Sequence, residues 1–63
     1  MKLNIELIEE KRIRQGLSKT ALAEKAGVTK QLLNYYYNHP SFINNVSALA
    51  KALGCKGKTL LME

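Results

Sequence analysis

The chain has 63 residues, with ten Lys and Arg against five Asp and Glu, a formal charge of +5 and 46% hydrophobic residues. That is enough chain for one domain, too apolar for intrinsic disorder, and short enough to bury only about 60% of its unfolded surface. No apolar run exceeds three residues, so no transmembrane helix fits, and charge throughout residues 1–15 argues against a secretory signal.

The single Cys and single His permit neither an internal disulfide nor a zinc site with Cys and His ligands within one chain. A disulfide-stapled secreted mini-protein is excluded, and a reducing cytoplasm is the expected location. The charge is unevenly placed. Residues 1–24 hold five basic and four acidic side chains, whereas residues 25–62 hold five Lys and no acid. A positive field confined to the second half suits a phosphate-bearing partner, with solubility as the plainer reason for it.

Strand signals are absent, with no sustained apolar–polar alternation and no Asn-Gly or Asp-Gly turn. Helix starts are clear. An Asn, Ser or Thr that accepts from a first-turn N–H, preceded by an apolar residue that packs five positions on, occurs at Leu3-Asn4…Ile8, Leu17-Ser18…Leu22 and Val28-Thr29…Leu33. The first helix is expected from about Ile5 to Gln15, stopping at Gly16, with Ile5, Ile8 and the stem of Arg12 inward and Ile13 beside them. Glu6 suits its dipole, and Glu10–Arg14 is a favourable pair one turn apart. The second covers about Lys19–Ala26, buries Leu22, Ala23 and Ala26, and stops at Gly27. The third begins after Thr29 and runs through Tyr37, where Asn38-His39-Pro40 breaks it. A fourth, with Val46, Leu49, Ala50 and Leu53 inward, starts near Asn44 and closes at Gly54. The segment Lys58–Met62 is expected to add a helical turn. Linkers, repeats and low-complexity tracts are absent.

Between Ser18 and Tyr37 the chain therefore reads as helix, tight turn at Ala26-Gly27-Val28, helix. Two helices joined so tightly meet at a steep angle and need a small residue at their closest approach, a position that Ala23 fills. This is a helix-turn-helix, whose second helix can enter a major groove; an ordinary helical hairpin is the bland alternative. The stretch Lys11–Gln31, with Gly16-Leu17-Ser18, Leu22-Ala23, Ala26-Gly27-Val28-Thr29 and the later Ala52-Leu53-Gly54, resembles the lambda-repressor-like (Cro/C1 or XRE type) helix-turn-helix family. The resemblance runs from Asn4 to about Leu61. It implies an all-α fold of four to five helices, a single domain over residues 1–63, and binding of double-stranded DNA.

At about 100° per residue, Leu33 and Tyr36 of the third helix point inward with Tyr37 flanking, and Lys30, Gln31, Asn34, Tyr35 and Asn38 share the opposite face. The resemblance implies that the first, second and sixth residues of this helix, Lys30, Gln31 and Tyr35, touch base edges, with Asn34 beside them. Their chemistry agrees: Gln pairs with adenine, Lys donates to guanine, and a Tyr ring packs on a thymine methyl. Phosphate contacts are expected from Lys19 and Thr29, with the start of the second helix offering free N–H groups, and the resemblance implies them for Asn38 and Ser41 as well. For each of these residues the alternative is a solvated polar face.

Three positions depart from the family pattern. Lys19 stands where Gln is usual, which replaces a brace for Gln31 by a point charge. The Glu that commonly pairs with an Arg at the position of Arg12 is replaced by Tyr37, so Arg12 is expected either to stack on Tyr37 or to turn toward phosphate. His39 stands where Gly usually follows Asn38, which leaves the path through residues 38–43, and the contact from Ser41, open. His39 is otherwise read as a loop residue, Cys55 as a buried small hydrophobe, and Glu6, Glu9 and Glu10 as a solvated face. Nothing suggests an enzyme, a metal, a cofactor or a small-molecule ligand.

The expectation is a sequence-specific DNA-binding transcriptional regulator, repressor-like, in the cytoplasm of a prokaryotic cell or phage-infected host. It binds a pseudo-palindromic operator as a weak homodimer through apolar Leu60, Leu61 and Met62. The rival is a protein-interaction module of the same fold, such as an antitoxin-like partner. Lys30 and Gln31 on the third helix favour DNA.

Overall fold

The computed structural model describes residues 1–42 and 46–62. Within them the chain forms strand β1 (Lys2–Leu3), helices α1 (Ile5–Arg14), α2 (Lys19–Ala26), α3 (Lys30–Asn38) and α4 (Val46–Leu53), a 3-10 turn (Gly57–Leu60) and strand β2 (Leu61–Met62). The expected start of the fourth helix near Asn44 lies outside the described residues.

Each expected cap is made. Asn4 Oδ1 accepts from the Leu7 N–H at 3.2 Å, Ser18 Oγ from Ala21 at 3.0 Å and Thr29 Oγ1 from Leu32 at 3.0 Å. Each satisfies a first-turn donor that has no intrahelical partner. At the other end of α2, Gly27 takes φ +76°, and the N–H groups of Gly27 and Val28 return to Glu24 and Ala23 at 3.1 and 2.9 Å. That paired closure requires a left-handed residue, which is why Gly stands there. The same closure ends α1 at Gly16-Leu17 and α4 at Gly54-Cys55. It spends the backbone N–H of half-buried Cys55 on Ala50.

The core joins Leu3, Ile8, Leu22, Ala23, Leu33, Tyr36, Leu49, Ala50, Ala52, Leu53 and Leu60. Helix α2 sits at its centre, against α3 on one side and α4 on the other, so Leu22 and Ala23 are sealed from water. Ile13 is a correction to the expected stripe. It stands 64% exposed, because α1 needs only the Ile5, Leu7 and Ile8 side to meet the rest. Gln15 ties the far ends together, donating from Nε2 to the Leu53 carbonyl at 2.7 Å, an acceptor left open by the end of α4.

The C-terminal segment is the second correction. Instead of a helical turn through Met62, the 3-10 turn stops at Leu60 and the chain extends as β2. There β2 pairs antiparallel with β1, Lys2 opposite Met62 and Leu3 opposite Leu61. Two-residue strands carry no legible alternation, so the absence of a strand signal missed them. The ribbon positions Leu3 and Leu60 in the core, and the Asn4 N–H donates to the Leu60 carbonyl at 2.8 Å. Among the described residues no helix is long and apolar enough to cross a membrane.

Candidate nucleic-acid interface

Burial divides α3 as its periodicity predicts. Leu33 and Tyr36 are fully buried, Leu32 and Tyr37 half-buried, and Lys30, Gln31, Asn34, Tyr35 and Asn38 exposed along one face. The helix carries no acidic residue. Its exposed face therefore presents one cation, three side-chain amides and one phenol, groups that donate to or pack on base edges. Thr29 is exposed at the N-terminus of α3, its oxygen occupied by the Leu32 N–H; its hydroxyl hydrogen can still donate outward. Ser41 is exposed in the turn after α3.

Lys19 is held differently from the expectation. It is half-buried at the start of α2, with its ammonium 4.8 Å from the centroid of the Tyr37 ring. A cation over an aromatic face at a partly exposed site is worth only about 0.5–1 kcal/mol, so a phosphate can compete for it.

Beneath Lys19 lies a polar group that joins α1 to α3. Arg12 donates a fork to Glu9, Nε to Oε1 at 2.7 Å and Nη2 to Oε2 at 2.8 Å, and its Nη1 donates to the Leu17 carbonyl at 2.7 Å. The Tyr37 hydroxyl donates to Glu9 Oε1 at 2.6 Å. Arg12 thus neither stacks on Tyr37 nor turns toward phosphate. The acid absent from position 37 is supplied from one turn earlier on α1, and Glu9 belongs to this group rather than to a solvated face. Glu6 and Glu10 do lie on that exposed face, Glu10 paired with Arg14 at 3.3 Å. The hydrogen bond from Arg12, then that from Tyr37, hold the Glu9 carboxyl down at about 2. Burial, and then the bond to Glu9, push the Tyr37 phenol well above its usual range.

The loop after α3 is the other departure. The His39 N–H closes the last helical bond to the Tyr35 carbonyl at 2.8 Å, and the Phe42 N–H donates to the His39 carbonyl at 2.9 Å. Residues 39–42 form a tight turn with Pro40 at its second position, where a fixed φ is favoured. The Leu3 N–H ties the Pro40 carbonyl to β1 at 2.7 Å. Ile43, the end of the path left open by the sequence, lies outside the described residues.

A capped α2, a left-handed glycine turn and a polar outer face on α3 are the parts of a helix-turn-helix. The family described as Helix-turn-helix matches residues 8–38. They form a helix-turn-helix domain of the lambda-repressor-like, Cro/C1 type. Comparison with curated proteins and with solved structures gave no match. The helix-turn-helix family is one of DNA-binding regulators, and the four helices with a short terminal ribbon agree with its all-α architecture.

The Glu9–Tyr37 bond was not legible from the chain, since no local pattern links residues 28 positions apart. The Glu9–Arg12 spacing of one helical turn was legible as a possible ion pair. Glu10–Arg14 satisfies the same one-turn rule.

Proposed function

We propose that this helix-turn-helix protein is a sequence-specific transcriptional regulator whose helix α3 lies in the major groove of a pseudo-palindromic operator. Lys30, Gln31, Asn34 and Tyr35 read base edges, and Lys19, Thr29, Asn38 and Ser41 hold phosphates. The carrying observation is the acid-free outer face of α3, exposed from Lys30 to Asn38, on a domain of a DNA-binding family. The free N–H groups at the start of α2 support backbone contact. Five Lys without an acid between residues 25 and 62 supply an attraction that weakens with salt. Occupancy of the operator acts by itself, by blocking polymerase or positioning a partner, in the cytoplasm of a prokaryotic cell or phage-infected host.

A homodimer completes the reading. One recognition helix covers about half a turn of DNA, and a two-fold pair places two helices about 34 Å apart. The apolar surface for it differs from the expectation. Leu60 is fully buried and Leu61 half-buried, so the exposed apolar groups at this end are Met62 and Met1.

Selection of bound sequences from a random duplex pool, at two salt concentrations, tests the reading. Enrichment of one pseudo-palindromic sequence that survives at the higher salt supports it. Binding with no enriched sequence and a uniform loss in salt would leave only phosphate attraction and return the protein-interaction module as the better reading.

A further inference from the structure

We propose that His39 and Phe42 are positioning residues that hold the Tyr35 ring ready to read an apolar base edge, such as a thymine methyl. This rests on the reading of α3 as the recognition helix. A tyrosine alone on an exposed helix face samples several rotamers, and freezing one of them on binding costs affinity. Here the ring is held before any DNA arrives.

The hold follows from how α3 ends. His39 lies one helical turn beyond Tyr35, and its N–H makes the last helical bond to the Tyr35 carbonyl, which puts the two side chains side by side. Their rings stack with centroids 4.3 Å apart and planes 29° from parallel. Pro40 then turns the chain, and the bond from Phe42 to the His39 carbonyl closes that turn. Phe42 thereby meets Tyr35 edge-on, with centroids 5.1 Å apart and planes at 89°. Phe42 in turn stacks on Tyr36 at 5.7 Å, and Tyr36 is 1% exposed. The rings form a ladder from the core outward, Tyr36 to Phe42 to Tyr35 to His39. Tyr35 as a whole remains 45% exposed, so it is held without being hidden. A glycine at position 39 would remove the outer rung. The histidine that departs from the family pattern is the residue that makes this brace.

The test uses the full chain, duplexes recovered by selection from a random pool, and the same duplexes with each base pair changed in turn. Tyr35→Ala should lose discrimination at one base pair. His39→Ala should lose it at the same base pair by about two- to tenfold, the range of one aromatic pair. The double variant should do no worse than Tyr35→Ala alone. His39→Phe, which keeps a ring in the stack, should retain the discrimination. In the free protein, His39→Ala should shift the Tyr35 ring proton resonances while the core resonances stay in place.

A uniform weakening on every duplex by His39→Ala would make His39 a phosphate contact and overturn the proposal. So would unaltered discrimination in His39→Ala when Tyr35→Ala and Gln31→Ala each lose theirs, and in that case the recognition-helix reading stands. If neither Tyr35→Ala nor Gln31→Ala changes discrimination anywhere, the recognition-helix reading has failed and the brace falls with it.

Discussion

The Tyr37 hydroxyl, near the end of α3, donates a 2.6 Å hydrogen bond to Glu9 Oε1 on α1. The same carboxylate receives the Arg12 fork, and Arg12 holds the Leu17 carbonyl just before the cap of α2. One carboxylate therefore orients all three helices of the DNA-binding unit. Glu9 is 31% exposed at its side chain and Arg12 15%, so the pair is only partly screened by water and its loss leaves a half-buried guanidinium short of acceptors.

Glu9→Ala is expected to lower stability by about 1–3 kcal/mol, the range for removing one partner of charged hydrogen bonds. Tyr37→Phe, which removes only the hydroxyl, should cost about 1 kcal/mol. Thermal melts distinguish them, since each kcal/mol moves the midpoint of a domain this size by about 4–8 °C. Equal melting curves for Glu9→Ala and the parent would show that this carboxylate orients nothing.

Acid should remove the same contribution. The folded carboxyl of Glu9 sits at about 2 against an ordinary value of 4.5, so between those values the unfolded chain binds the extra proton. The stabilisation is complete above about pH 4.5 and is lost as the pH falls toward 2. Urea titrations from pH 6 downward should show the parent losing stability in this window more steeply than Glu9→Gln. Parallel slopes would count against the carboxylate as the titrating group.

Ala23, 2% exposed, lies in the core on α2, the helix that packs against both α3 and α4. A larger side chain there has no room, and overpacking costs about 1–3 kcal/mol. Ala23→Leu should melt well below Ala48→Leu, whose site is half-buried. The reverse order would contradict the central placement of α2.

Readers and anchors should separate on DNA. Gln31→Ala is expected to cost about 1–3 kcal/mol on the selected operator and almost nothing on random duplex. Lys19→Ala should weaken both by similar factors and reduce the salt slope by about one. It also gives up the contact with the Tyr37 ring, so the comparison belongs at a temperature where both variants are fully folded. Lys30, at the first position of α3, can reach a guanine or a phosphate, and the same two measurements assign it. Equal losses on operator and random DNA for Gln31→Ala would remove it from the readers.

Dimerisation should be weak in solution and complete on the operator. Sedimentation of the free chain should give mostly monomer, and titration of the operator should saturate at two chains with footprints one helical turn apart. Met62→Lys should impair the second binding event more than the first. Saturation at one chain with a single half-site footprint would end the dimer proposal.

The features legible in the residue order are those whose physics is local. Asn4, Ser18 and Thr29 cap helices through bonds that span three residues, and Gly16, Gly27 and Gly54 end them through conformations that each residue adopts alone. These fix where α1, α2 and α3 lie, and the 3.6-residue period then assigns Leu33 and Tyr36 inward and Lys30 to Asn38 outward. The long-range partners of groups that many neighbours could satisfy come from packing between elements. The Glu9–Arg12 pair is local, one helical turn apart on α1, but the Tyr37 hydroxyl reaches the same carboxylate only because α3 packs beside it. The terminal ribbon pairs Leu3 with Leu61 and the aromatic ladder joins Tyr35 to Phe42 across a turn. Both depend on chain ends or loop closure, where two residues of strand or one bend carry no periodicity to read. Periodicity names the face a residue belongs to; only packing names the atom it meets.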